Sequence, residues 1–137
     1  MDTEIIKNAC EKSFTENMPF PEVIKRLADA GVESYYADLS QLQKMNYAPS
    51  GETFVAQLKT QPLGTEAEEF SADAVKQALQ DIREKKIGYA EFLRQIVAAG
   101  TLACAVHIRG RRALYIGRAG DFHVERFPGA APAKVTP

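Results

Sequence analysis

The chain has no tryptophan and only two cysteines and two histidines among its 137 residues. Each scarcity narrows what it can be. Cys10 and Cys104 stand far apart, with no CxxC pair and no histidine at ligand spacing, so neither a zinc site nor a disulfide framework is expected. No apolar run approaches the ~18 residues that span a bilayer. The opening MDTEIIKNAC is acidic and lacks the apolar stretch of a secretion signal. A cytoplasmic protein with no membrane segment, metal or cofactor is the expectation. No loop of Walker type, recognition helix or RNA-binding signature is present.

Charge of one sign is also lacking, since the formal net charge is -1. The balance hides an asymmetry. Residues 1–68 carry 6 Lys and Arg against 11 Asp and Glu, whereas residues 69–137 carry 11 against 7. Oppositely charged halves suit docking on each other or between copies of the chain, so a homodimer is among the partners considered.

What is present is a repeat. A shift of 69 residues aligns residues 2–58 with 71–127 without a gap. FPEVIKRLADAG at 20–31 then falls on YAEFLRQIVAAG at 89–100. Asp2 and Ser71 are matched N-cap residues, each preceding an apolar stripe at helical spacing. Pro19 ends the first helix of one copy, and Gly88 ends that of the other. Gly31 and Gly100 close the second helices. The period then changes from 3.6 towards 2 through VESYYADL, KMNYA and TFVAQL, and again through TLACAVHI, RALYIG and FHVERF. PSGE and RAGD read as hairpin turns.

The expected architecture is α+β: a helix-helix-three-stranded antiparallel meander unit (ααβββ) occurring twice about a pseudo-two-fold. One domain covers 1–128, with 59–70 as a polar linker and 129–137 as a Pro- and Ala-rich tail outside the fold.

Chemistry-bearing residues concentrate in the second meander. Alternation carried through the strands places Val106, Ile108, Leu114, Ile116, Phe122 and Val124 on one side. It places His107, Tyr115, His123 and Glu125 on the other. Two imidazoles, a phenol and a carboxylate on one face are candidate catalytic groups for acid-base work. A metal held by the two histidines would need Glu125 as third ligand. The simpler reading is a solvated polar face. Cys104 falls among the apolar positions and reads as a small core residue. Tyr36 and Asp38 share a face in the first meander and, with Arg109, Arg112 and Arg118, are candidate ligand-binding residues. Five arginines, these three with Arg111 and Arg126, form a basic hairpin. Thin aromatic interleaving argues against nucleic acid as its partner.

LADAGVESYYAD and GRRALYIGRAGDFHVERFP together resemble the YdfO/YbcV-like family of bacterial and prophage-borne proteins, some of which carry the label phage envelope protein. The likeness runs from the first helix to Phe127 and Pro128. It implies a compact α+β domain of unknown function in a bacterial cytoplasm, with mobile-element ancestry, and it assigns no catalytic residue. The leading expectation is a non-enzymatic module that binds a small ligand or a protein through the sheet of the second copy. The alternative is a small enzyme with His107 or His123 as base and Glu125 orienting it.

Overall fold

The computed structural model describes residues 1–128, so the expected tail lies outside the described residues. Helices α1 (Thr3–Thr15) and α2 (Phe20–Asp29) precede strands β1 (Ser34–Asp38), β2 (Gln43–Tyr47) and β3 (Thr53–Gln57). Helices α3 (Ala72–Arg83) and α4 (Tyr89–Ala98) precede β4 (Thr101–His107), β5 (Arg112–Gly117) and β6 (Phe122–Arg126). All six strands form one antiparallel sheet in the order β3-β2-β1-β4-β5-β6.

The helices begin where the caps require. The Asp2 carboxylate accepts from the amides of Glu4 and Ile5, and the Ser71 hydroxyl accepts from Ala74. Each satisfies backbone donors that a first turn leaves without partners. The amides of Asp2 and Ser71 in turn donate to Ala30 and Ala99, both at 2.8 Å, and so tie each helix pair at its base. Gly31 and Gly100 have φ of 94° and 99°, the left-handed conformation that ends a helix without a Cβ clash. One left-handed non-glycine position repeats as well: Leu42 and Arg111, 69 residues apart, have φ of 56° and 53° in the turns before β2 and β5.

The two units join through β1 and β4. Their ladder pairs Ser34 with His107, Tyr36 with Ala105 and Asp38 with Ala103. Tyr36 and Ala105 are themselves equivalent under the 69-residue shift. The same shift exchanges the Ser34–His107 pair with the Asp38–Ala103 pair, which places the pseudo-two-fold axis between Tyr36 and Ala105. The amide of Leu39 donates to the Leu102 carbonyl, and its symmetry mate, the amide of Ile108, donates to Glu33.

Helices reach the sheet on one face. Lys7 of α1 lies over Phe54, Phe92 of α4 meets Tyr115 edge-on, and Arg83 of α3 pairs with Glu125. Between these layers lies the core, with Ile6, Leu27, Val75, Leu93, Ile96 and Val97 essentially sealed. Each such side chain contributes on the order of 1.5–3 kcal/mol by leaving water. The linker is not wholly polar in its role: Leu63 is buried, and Phe70 packs on Gly117 so closely that a Cβ there would sit 2.9 Å from the Phe70 Cβ.

Candidate functional site

The strand registers decide which side chains share a face. Tyr35 lies opposite Val106, Cys104 opposite Tyr115, and Tyr115 opposite His123, so these residues, with Ala113 and Glu125, face the helices. His107 lies opposite Ser34 and Arg112, on the other face. The expected four-residue cluster is therefore corrected: Tyr115, His123 and Glu125 are together, and His107 points away from them. Its apolar counterpart is corrected too. Val106 faces the helices, whereas Leu114, Ile116, Phe122 and Val124 occupy the face without helices. The cause is the turn after β4. Because His107 pairs with Arg112, odd and even positions exchange faces between β4 and β5, and unbroken alternation cannot be carried through the loop.

Under the helices, His123 Nε2 lies 2.9 Å from Glu125 Oε1, and Arg83 Nη1 lies 2.9 Å from Glu125 Oε2. Partial burial raises the Glu125 pKa, but the hydrogen bonds from His123 and Arg83 outweigh it and hold the carboxyl below its usual range. The group is an oriented imidazole at the margin of α3 and β6. The described residues gather no set of three His, Cys, Asp or Glu side chains able to hold a metal ion.

Deeper in the same layer is a group whose character the sequence reading missed. Lys44 on β2 is 2 % exposed, and its Nζ lies 4.4 Å from the Tyr35 ring centroid and 5.8 Å from that of Tyr89. No carboxylate lies within ion-pair reach of it among the described residues. The aromatic faces are its compensation, worth up to about 2 kcal/mol when desolvated. Burial drives the pKa of Tyr35, Tyr89 and Tyr115 upward and pushes the Cys104 thiol up to about 12. Cys104 is a free, closed thiol. Alternation in KMNYA does place Lys44 and Asn46 on one face, but nothing in the sequence marks that face as the covered one.

The remaining candidates are dispersed. Tyr36 and Asp38 share the open face as expected, yet the Asp38 carboxylate accepts from the amides of Ser40 and Gln41, both at 2.9 Å, and so holds its own turn. Arg112 and Arg126 lie side by side on the open face, Arg109 and Arg111 flank the adjacent turn, and Arg118 stands at the far end of β5, reaching the Glu66 carbonyl at 3.5 Å. They do not line one pocket. A groove of about 560 Å³ does exist between α1 and β3, edged by Lys7, Cys10, Glu11, Phe54 and Gln57, none of them anticipated.

The open face itself is the larger feature. Across the middle of all six strands run Val55, Met45, Tyr36, Ala105, Leu114 and Val124, each directly paired with the next. Val55 is 44 % exposed, Val124 39 % and the flanking Phe122 62 %. Histidine, arginine and carboxylate side chains enter this face only towards the strand ends, as His107, Arg112 and Arg126 at one end and Asp38 at the other, while the Tyr36 phenol lies within the row.

No protein-family model matches the sequence, and no curated protein does. No helix among the described residues is long and apolar enough to cross a membrane.

Proposed function

We propose that the chain is a non-enzymatic interaction module that works through the helix-free face of its sheet and takes a protein surface rather than a small ligand. The observation that carries this reading is the unbroken apolar row from Val55 to Val124 across six strands. An antiparallel sheet with one solvated face ordinarily presents polar residues there. Here Met45, Tyr36, Leu114 and Val124 stand where Ser, Thr or Lys would be ordinary, and contiguous apolar surface of this extent marks sites of association. The face is the surface of one continuous six-stranded sheet, a shape suited to another flat surface. The resemblance to YdfO/YbcV-like proteins supports placing the chain with that family, in a bacterial cytoplasm, and is silent on chemistry.

A second reading has one observation in its favour: the His123–Glu125 contact, braced by Arg83, orients an imidazole as a general base requires. A thermal-shift screen against metabolites separates the two. The interaction module predicts no ligand-induced shift that survives Leu114→Glu. A metabolite that raises the Tm of both the native chain and Leu114→Glu, but not of His123→Gln or Lys7→Ala, would move the function to the helix side and sink the module reading.

A further inference from the structure

We infer that the open face is covered by a second copy of this chain, stacked sheet on sheet so that the first repeat of each copy lies over the second repeat of its partner. The inference rests on the open face being the working surface. Three properties of the face select this occupant.

The first is extent. Six strands spaced about 4.8 Å apart, each at least five residues long at about 3.3 Å per residue, project to roughly 500 Å². Two such faces bury more than about 1,000 Å² in total once side-chain relief is counted, which meets the size of a specific interface.

The second is self-complementarity. A two-fold dimer brings a surface onto itself, so an apolar core must meet an apolar core wherever the axis falls. The row Val55, Met45, Tyr36, Ala105, Leu114, Val124 crosses the whole width of the sheet at mid-strand, and its centre is the pseudo-two-fold pair Tyr36–Ala105. Packed sheets lie about 10 Å apart with strand directions within about 30° of each other, an arrangement that leaves this row in register with its mate.

The third is charge. A two-fold axis parallel to the strands lays β4–β6 of one copy over β1–β3 of the other. Arg112 and Arg126 then stand over the end of the partner sheet that carries Tyr47 and Thr53, where no lysine or arginine shares the face. Helices included, residues 1–68 carry 6 Lys and Arg against 11 Asp and Glu and residues 69–128 carry 10 against 7, so this axis sets halves of opposite net charge over each other. An axis across the strands would instead stack like half on like half. Opposite potentials set the orientation, while the apolar row supplies the affinity.

In this arrangement Leu114 faces Met45 of the partner, and Val124 faces its Val55. Sedimentation equilibrium of the full chain at 1–100 µM is the test. The native chain should reach twice the 15.1 kDa chain mass. Leu114→Glu and, independently, Val124→Glu should weaken association at least tenfold with an unchanged far-ultraviolet circular dichroism spectrum. Adding Met45→Lys to Leu114→Glu should restore association at least severalfold, because each Glu then meets a Lys across the interface. A dimer lost with Leu114→Glu and not regained with Met45→Lys overturns the stacking direction. A native chain that stays at single mass at 100 µM, or a dimer indifferent to both Glu substitutions, overturns the second copy as occupant. A single-mass chain leaves the module reading standing with a different protein partner, whereas the helix-side metabolite shift described above removes that reading itself.

Discussion

The Asn17 side chain caps a helix that begins seventy-two residues later: its Oδ1 accepts from the Tyr89 amide at 3.1 Å. Gly88, the N-cap residue of α4, has no side chain to do this, and a Cβ there would sit 2.7 Å from the same oxygen. The first repeat thus completes the second. Asn17 also has φ of 48°, a conformation that asparagine tolerates better than most residues. Asn17→Gly, which keeps the backbone and removes the cap, should cost about 1 kcal/mol in urea denaturation. Asn17→Ala should cost more, because it adds the positive-φ penalty. Equal losses for the two would show that the cap alone matters.

Gly31 and Gly100 are equivalent in sequence and in φ, yet their surroundings differ. A Cβ on Gly31 would come no nearer than 3.6 Å to the Met1 Cα, whereas one on Gly100 would meet the Glu69 carbonyl oxygen at 2.6 Å and the Phe70 Cα at 2.9 Å. Gly31→Ala should therefore carry only the conformational cost, about 1 kcal/mol. Gly100→Ala must also displace linker backbone and should lower the Tm by a clearly larger amount. Similar Tm values for the two variants would mean that the linker moves aside freely.

Lys44 presents a buried charge compensated by aromatic faces rather than by a carboxylate. Lys44→Met retains most of the stem volume and removes the charge, and should leave the Tm unchanged or raise it. Lys44→Ala should lose about 2 kcal/mol or more, because the packed stem disappears. A Lys44→Met variant as unstable as Lys44→Ala would show that the ammonium itself is required.

Cys104, the buried Tyr35 and Tyr115 and the half-buried Tyr89 make the domain sensitive to base. Their folded pKa values lie above the unfolded ones, so the unfolded chain releases these protons first and stability falls as pH rises. The contribution is intact below about pH 8.5, the ordinary thiol value, and each group can remove at most about 1.4 kcal/mol per pH unit above its unfolded pKa. For Cys104 the loss continues to about 12. Urea midpoints measured from pH 7.5 to 10 should decline for the native chain and decline less for Cys104→Val. Identical slopes would contradict the closed state of the thiol.

Much of the fold was open to reading in the chain itself. Asp2, Ser71, Gly31 and Gly100 mark helix ends by chemistry that acts within a few residues, and the change of period after each glycine separates helix from strand. The 69-residue shift even carries the centre of the molecule, since Tyr36 and Ala105 are equivalent residues that turn out to be paired ones. The candidate site was legible only within single strands. Tyr36 with Asp38 and His123 with Glu125 share faces because two residues apart on a strand always do.

Which face the helices cover was a decision of the tertiary structure. His107 and His123 were separated by the pairing of His107 with Arg112 across a turn in which Arg111 is left-handed, a register no alternation count can supply. That pairing sent Tyr115, His123 and Glu125 beneath the helices and left Leu114, Ile116 and Val124 outside. Local sequence determined the helix and strand pattern of the repeated unit, because caps, turns and periodicity act over a few residues. Register and layer order determined which side chains meet, because in a sheet a shift of one residue reverses every side chain, and only the packed whole chooses between the two.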